Sequence, residues 1–251
     1  MNKKDKLINL ILPVVTIGCI LILWSVASIL VDSKYILPSV ADTFSTFISL
    51  FSDKNFYIVF SLTLLRSLIA FAISFVVSGI CAYVAYKNKR AERVILTIMS
   101  LLRALPTVAI VPLLLFWTNG NGQVSPVVVT LIVVMPTTYT HIKSAFESLD
   151  KTTVEASMVD GANKLQSLIK VEFPQIAPAV YSAIGSGISL NFKLMVAAEV
   201  LSATAKSLGN ALNDAKFSFD IALMLAMVIT AVAFGIIIEA IFNKISKHAS
   251  N

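Results

Sequence analysis

Six apolar stretches, each long enough to cross a lipid bilayer as a helix, constrain this chain more than any other feature of its sequence. A transmembrane helix needs about 20 apolar residues. Because hydrocarbon offers no hydrogen-bond partners, each stretch must satisfy its own backbone as a helix. Charged residues make up 14% of the chain, against about 25% of a soluble domain. The sequence therefore predicts an all-α, polytopic membrane protein that forms a single domain over residues 1–251. We place its six transmembrane helices near residues 7–31, 57–86, 94–117, 124–146, 176–201 and 217–245.

Lysine and arginine residues are unevenly distributed between the two ends of these helices. Thirteen of the 20 lie at the two termini or in the loops after the second and fourth helices, and four lie in the loops on the opposite side. Cytoplasmic loops carry the excess of basic residues in membrane proteins. We therefore predict that both termini and the loop at about 147–175 are cytoplasmic. A nucleic-acid surface is disfavoured, because the basic residues follow the helix ends rather than one patch.

Two short segments on the opposite side have helical periodicity. In the first, apolar residues recur at helical spacing after Ser39, which forms a capping-box pattern with Asp42. In the second, residues 204–218, leucine and alanine residues fall on one side of the helix, and asparagine and aspartate residues fall on the opposite side. We expect both to be short amphipathic outer helices that cover the ends of the transmembrane helices, although contact with an external partner would also explain them.

The third and fifth predicted helices contain residues that alter helix geometry. Pro106 and Pro112 each remove a backbone hydrogen bond, so we predict a bend at Arg103–Pro106. A bend at membrane depth occurs where protein packs around it or where a cavity opens. Gly185 and Gly187 in the fifth helix favour close approach of a neighbouring helix.

The loop at about 147–175 is a polar segment with helical signals of its own. Thr152 and Glu155 form a capping-box pattern that predicts a helix start, and Gly161 lies where this helix should end. A second helix is expected from about Asn163 to just before Pro174. Two helices meeting at a glycine could dock in the groove of a partner protein. Alternatively, the segment is only an interfacial loop, and Glu155 has no role beyond its cap.

Five charged residues fall within or at the ends of the predicted transmembrane helices. Arg66 and Arg103 each lie about 10–15 Å from a helix start, and charges at that depth usually face protein or water. Lys193 and Glu199 could extend to the outer interface, and Glu239 is expected to be an interfacial or interhelical partner. Positive groups along a pathway would favour an anion, whereas a structural Arg–Glu pair between helices would explain the same residues. The candidate pathway residues are Arg66, Arg103, Pro106, Lys193 and Glu199.

Glu155-Ala156-Ser157, then Gly161, then Val171-Glu172-Phe173-Pro174 resembles the EAA signature of permease subunits of binding-protein-dependent ABC importers. The spacing matches throughout. The segments at Ser67–Phe71, Arg103–Trp117 and Val196–Glu199 are similar to the sulfonate, nitrate, taurine and pyrimidine-precursor branch of that family. Asn191-Phe192-Lys193 departs from the small and aromatic residues usual in this branch, and we expect a different substrate preference if this position lines the pathway.

The resemblance implies a transport subunit and not an enzyme, in a bacterial cytoplasmic (inner) membrane. Two cytoplasmic ATPase subunits, which hold ATP and Mg, would each grip one loop. An external binding protein would deliver a small polar solute or anion to a pair of permeases, usually a homodimer. No phosphate-binding G-x-x-x-x-G-K-[ST] motif occurs in the chain, so we expect no cofactor in this subunit. The resemblance assigns the ATPase-coupling role to Glu155, Ala156, Ser157, Asp160, Gly161, Ala162 and Pro174.

Two other classes of function remain as alternatives. A secondary transporter or channel would take up its solute without an ATPase, and inverted repeats with paired helix breaks would be its sequence marks. We find no such repeat. A membrane-embedded enzyme would need clustered catalytic groups within the helices, and His141 and His248 are the only two histidines.

Overall fold

The computed structural model describes residues 3–249, with side chains described from residue 11 onward. Every regular element within that range is helical. The helices are α1 (Lys3–Val31), α2 (Val40–Leu50), α3 (Lys54–Lys87), α4 (Lys89–Ala104), α5 (Thr107–Trp117), α6 (Ser125–Glu147), α7 (Lys151–Val159), α8 (Lys164–Ser167), a π-helical turn (Leu168–Glu172), α9 (Phe173–Ser202), α10 (Leu208–Phe217) and α11 (Ile221–Ala249).

Five helical segments among the described residues are each long and apolar enough to cross a membrane. These are α1, α3, α6, α11 and the run Lys164–Ser202 that contains α9. The pair α4 and α5 reaches that length only when both helices are counted together. Five or six membrane crossings are therefore available, which agrees with the predicted all-α membrane protein.

The predicted segment 94–117 consists of two helices, since α4 and α5 meet at 93°. Leu105 has extended backbone angles, φ −68° and ψ 125°, as is usual for a residue before proline. Pro106 then begins α5 as its N-terminal cap residue, also in the extended region. The predicted bend at Arg103–Pro106 is confirmed, and it divides the segment into two helices.

The sequence predicted that the second helix of the loop ends just before Pro174, and this prediction is wrong. Helical structure continues from Lys164 to Ser202 through the π-helical turn. The Phe173 amide donates to the Leu168 carbonyl, five residues back. Pro174 has no amide hydrogen to donate, and a π-helical turn is a common way to absorb such a local mismatch. The loop and α9 are therefore one continuous helical run.

Contacts divide the chain into two compact units. One consists of the described residues up to Tyr57 together with Ala211–Thr230. It contains α1 and α2, and the predicted cap of α2 is confirmed because the Asp42 amide donates to Ser39 Oγ at 3.0 Å. Within it, Trp24 Nε1 donates to the Pro38 carbonyl at 3.0 Å and so ties α1 to the segment before α2.

The other unit consists of Ile58–Asn210 and the chain from Ala231 onward. Its core lies between α6 and α9, where Tyr139, Ile176 and Phe192 are almost fully buried. The predicted packing role of the glycines in α9 is confirmed. A Cβ atom at Gly187 would lie 2.4 Å from Phe71 Cε2, and one at Gly185 would lie 2.5 Å from Phe242 Cβ.

Candidate functional site

The cap of α7 differs from the one predicted at the start of the loop at about 147–175. Asp150 is the N-terminal cap residue, and its carboxylate accepts from the Thr152 amide at 3.0 Å and from the Thr153 hydroxyl at 2.6 Å. The hydrogen bond from the Thr153 hydroxyl, and to a lesser extent the one from the Thr152 amide, holds the pKa of Asp150 below its ordinary value. The predicted Thr152–Glu155 capping box is wrong, because the helix begins at Lys151 and Asp150 is the residue that caps it. Glu155 lies within α7, exposed to solvent.

The predicted turn between the two loop helices is present at Gly161, whose φ is +89°. Side chains disfavour this left-handed region, so glycine suits the position. Asn163 caps α8 with a reciprocal capping box, in which Asn163 and Gln166 exchange two hydrogen bonds of 2.9 Å. The Ser157 hydroxyl donates to Ser167 Oγ at 3.2 Å and links α7 to α8. The helix–turn–helix shape of this loop is therefore well defined.

Apolar side chains project from the tip of this loop. Val159 is 87% exposed, Leu165 64% and Met158 44%. The apolar residues of α7 lie on different sides, because Val154 is buried in the protein while Met158 and Val159 are exposed. A polar loop that exposes an apolar tip offers a surface that a partner protein can bury.

The base of the loop is tied to the membrane helices by polar contacts that sequence reasoning missed. Glu172, only 1% exposed, forms a salt bridge of 2.8 Å with Lys87 at the end of α3. Gln175 Oε1 accepts from the Asp150 amide at 3.1 Å. Lys143 forms salt bridges of 2.8 Å with Glu92 and 2.6 Å with Glu147. Apart from the local pair Lys143–Glu147, these partners are far apart in the chain, so the sequence shows no local signal for their contacts.

Two of the candidate pathway residues, Arg66 and Glu199, are brought together. A guanidinium nitrogen of Arg66 lies 3.0 Å from Glu199 Oε1, and the Glu199 side chain is fully buried. The Thr63 hydroxyl donates to Glu199 Oε2 at 2.8 Å, and Arg66 also donates to Gln123 Oε1. Glu199 therefore does not extend to the outer interface, and the geometry corresponds to the alternative of a structural Arg–Glu pair between helices.

Arg103 belongs to a separate arrangement. It lies in the last turn of α4, is exposed, and donates to Thr140 Oγ1 at 2.9 Å. A positive side chain suits this position, because a helix carboxyl terminus carries a partial negative charge. Pro106 marks the adjoining break between α4 and α5. Arg66 and Arg103 thus hold different pairs of helices and do not form one site.

The remaining candidate, Lys193, lies in a polar groove along α6, α9 and α11. Two adjoining clefts of about 260 and 330 Å³ form this groove and share His141 and Ser186. Polar residues recur at every third or fourth position on both α6 and α9, which places them on one helix face. This spacing is the sequence signal for the groove. The polar groove is lined by Thr137, His141, Ser144 and Ser148 on α6, Ser182, Ser186, Ser189 and Lys193 on α9, and Glu239 on α11.

Comparison with known proteins agrees with the fold and identifies the family. Residues 74–251 match the family described as the binding-protein-dependent transport system inner membrane component. The taurine transport system permease protein TauC of Escherichia coli (strain K12) is 25% identical over 219 residues, which cover 84% of this chain and 78% of TauC.

Solved ABC transporters share the fold at low sequence identity. An inward-facing structure of the MetNI methionine ABC transporter aligns with a TM-score of 0.66 at 17% identity, over 76% of this chain and 94% of that one. A bacterial alginate ABC transporter, solved with its alginate pentasaccharide-bound periplasmic protein, gives 0.64 at 16% identity, over 98% and 96% of the two chains. In such transporters ATPase activity resides in separate subunits. The chain belongs to the binding-protein-dependent transport system family and is a permease subunit of an ABC importer.

Proposed function

We propose that the helix–turn–helix loop at about 147–175 couples this permease to two cytoplasmic ATPase subunits, and that the polar groove lines the substrate pathway. The substrate is a small polar organic solute or anion delivered by an extracytoplasmic binding protein. The site residues of the loop are those of the EAA signature, centred on Glu155 and Gly161. ATP and Mg are bound by the ATPase subunits, and this chain supplies the loop that they grip.

The distribution of charge supports a cytoplasmic location for the loop. Cytoplasmic loops carry the excess of basic residues, and the two termini are rich in basic residues as well, so they also belong in the cytoplasm. Both termini can share one side only if the number of membrane crossings is even. The bent pair α4 and α5 then counts as one broken crossing, and the chain has six crossings in a bacterial cytoplasmic membrane.

The continuity of the loop with α9 supports its coupling role. A displacement applied to α8 passes through the π-helical turn into α9 without an intervening flexible segment. The Lys87–Glu172 salt bridge lies within this path and fixes the loop base to α3. The exposed apolar tip supplies the surface that an ATPase subunit would grip. Closure of the ATPase subunits would therefore move α9, which carries half of the polar groove.

The exposure of the polar groove supports pairing of two permease copies. His141, Ser144 and Lys193 are exposed on helices that cross the membrane. Charged side chains at membrane depth almost always face protein or water. A second copy of this chain, enclosing a pathway between the two grooves, would keep these side chains away from lipid. We therefore propose a homodimer of permeases.

Co-purification with the ATPase tests this proposal. The chain is co-expressed with its candidate ATPase, and the detergent-resistant complex is quantified for Gly161→Pro and Glu155→Lys. Gly161→Asn and Glu155→Gln are the matched controls, because asparagine tolerates the left-handed region and glutamine preserves shape. We expect wild type and both controls to retain the ATPase, while the two disruptive variants fold and release it.

The opposite result would favour a different class of transporter. If no ATPase binds the wild-type chain, or if all variants bind it equally, the loop is only a capped interfacial segment. Ion-coupled uptake by the isolated chain in liposomes would then identify a secondary transporter.

A further inference from the structure

The Lys193 ammonium group lies in the polar groove without a carboxylate close enough to neutralise it. Among the side chains that the structure describes, no Asp or Glu oxygen comes within 4.0 Å of it. Its side chain instead crosses to α11 at Gly235. A Cβ atom there would lie 2.9 Å from Lys193 Cε and 3.4 Å from its Nζ. Glycine at 235 thus allows the ammonium group to lie against α11.

A carboxylate of the same cleft lies one helical turn further along α11. Glu239 follows Gly235 by four residues, which is a rise of about 6 Å on the same helix face. Glu239 lines the cleft and is half-buried. It forms no salt bridge with any Lys, Arg or His side chain that the structure describes. The cleft therefore contains one positive and one negative group, whose charged atoms lie more than 4.0 Å apart.

Hydroxyl and imidazole groups also line this cleft, beside the apolar side chains of Val134 and Leu190. Thr137 and His141 face it from α6, and Ser186 and Ser189 face it from α9. Its volume is about 260 Å³, slightly below the range of about 300–1,000 Å³ of pockets for drug-sized ligands. The cleft is suited to a polar solute of only a few heavy atoms.

Unpaired charges at membrane depth are costly and usually mark substrate pathways. A simple anion would neutralise Lys193 but be repelled by Glu239. A simple cation would neutralise Glu239 but be repelled by Lys193. A molecule that carries both charges neutralises both residues at once. Building on the proposed pathway, we propose that this cleft binds a small zwitterionic solute, with its acid group at Lys193 and its amine at Glu239.

Protection of a cysteine in the cleft tests this assignment. The whole transporter, with its ATPase, is assembled from a chain carrying Ser186→Cys in a background with Cys19→Ala and Cys81→Ala. Modification of the new thiol by N-ethylmaleimide is timed with four probes at one concentration: taurine and β-alanine as zwitterions, isethionate as an anion and ethanolamine as a cation. Ser144→Cys, on the adjoining cleft, serves if the first substitution prevents assembly.

We expect the zwitterions to slow the modification and the singly charged probes to have little effect. Lys193→Met or Glu239→Gln should each weaken protection about tenfold or more, because charge-assisted hydrogen bonds contribute that much to affinity. The control Lys216→Met, outside the cleft, should leave protection unchanged.

The assignment is overturned by equal protection by isethionate, by equal protection by ethanolamine, or by no protection by any probe. Each is distinguishable from failure of the proposed function, because ATPase retention is measured in the same preparation. Restored protection in the swapped variant Lys193→Glu/Glu239→Lys would support a zwitterion site bound in the reverse orientation. Loss of protection in Lys193→Met but not in Glu239→Gln would identify an anion site and contradict the proposal.

Discussion

Arg66 and Glu199 form a salt bridge of 3.0 Å between α3 and α9, although 133 residues separate them in the chain. The Gly209 amide also approaches Glu199 Oε2, at 3.4 Å, so the carboxylate is held from three directions. Breaking a buried ion pair from one side leaves an uncompensated charge and costs about 3–5 kcal/mol. This pair is therefore expected to fix α3 against α9.

We predict that Arg66→Gln and Glu199→Gln each lower the stability of the folded permease. The double variant Arg66→Gln/Glu199→Gln should lose less than the sum of the two single losses, since it leaves no unpaired charge. The unfolding temperature in detergent is measured for wild type, the two single variants and the double variant. Additive losses would show that the two side chains do not depend on each other.

Gly235→Ala is predicted to impair transport without preventing assembly with the ATPase. The added methyl group would lie 2.7 Å from Ser189 Oγ and 2.9 Å from Lys193 Cε, so the lysine side chain must shift away from α11. Gly79→Ala is the matched control, because a Cβ atom there would be 3.9 Å from its nearest neighbour, Ile142 Cδ1. ATP-dependent uptake in proteoliposomes should fall for the first variant only.

Val159→Ser is predicted to weaken ATPase binding while leaving the permease as stable as wild type. Val159 is 87% exposed, and substitutions at such positions change stability by about 0.5 kcal/mol or less. Full burial of a valine in an interface contributes about 1.5–3 kcal/mol, so the affinity for the ATPase should fall about tenfold or more. Titration of the ATPase onto immobilised permease measures this loss, and unchanged affinity would show that the loop tip lies outside the interface.

The cap of α7 is predicted to weaken at low pH. The folded-state pKa of Asp150 is held below its ordinary value, so its stabilising contribution is present above the unfolded-state pKa. That contribution is lost as the pH falls through the lowered folded-state pKa. Hydrogen exchange of the α7 amides should accelerate in acid for wild type. Asp150→Asn should keep a pH-independent cap, and Asp150→Ala should exchange faster at every pH.

Local signals allowed parts of the site to be predicted from sequence. The left-handed turn needs glycine, and Gly161 supplied it. Asn163 at the start of α8 and Ser39 at the start of α2 are strong cap residues and occupy the expected positions. Pro106 marked the break of the third segment. In each case the determining contacts lie within a few residues of one another.

Other features depend on contacts that no local pattern contains. The partner of Arg66 lies on a helix 133 residues away, and the partner of the buried Glu172 lies 85 residues away. Pro174 was expected to end a helix, but the helical run continues past it through the π-helical turn. The polar groove can be recognised in the sequence only when its residues are taken together as one face of α6 and one face of α9.

ATP-driven movement of the loop is the most direct test of the coupling mechanism. Spin labels placed through Lys151→Cys on both permease copies of the assembled transporter report the distance between the two loops. The proposed coupling predicts that this distance shortens when ATP binds, and that Gly161→Pro abolishes the change while Gly161→Asn preserves it. A distance that does not respond to ATP in the wild-type complex would contradict the account.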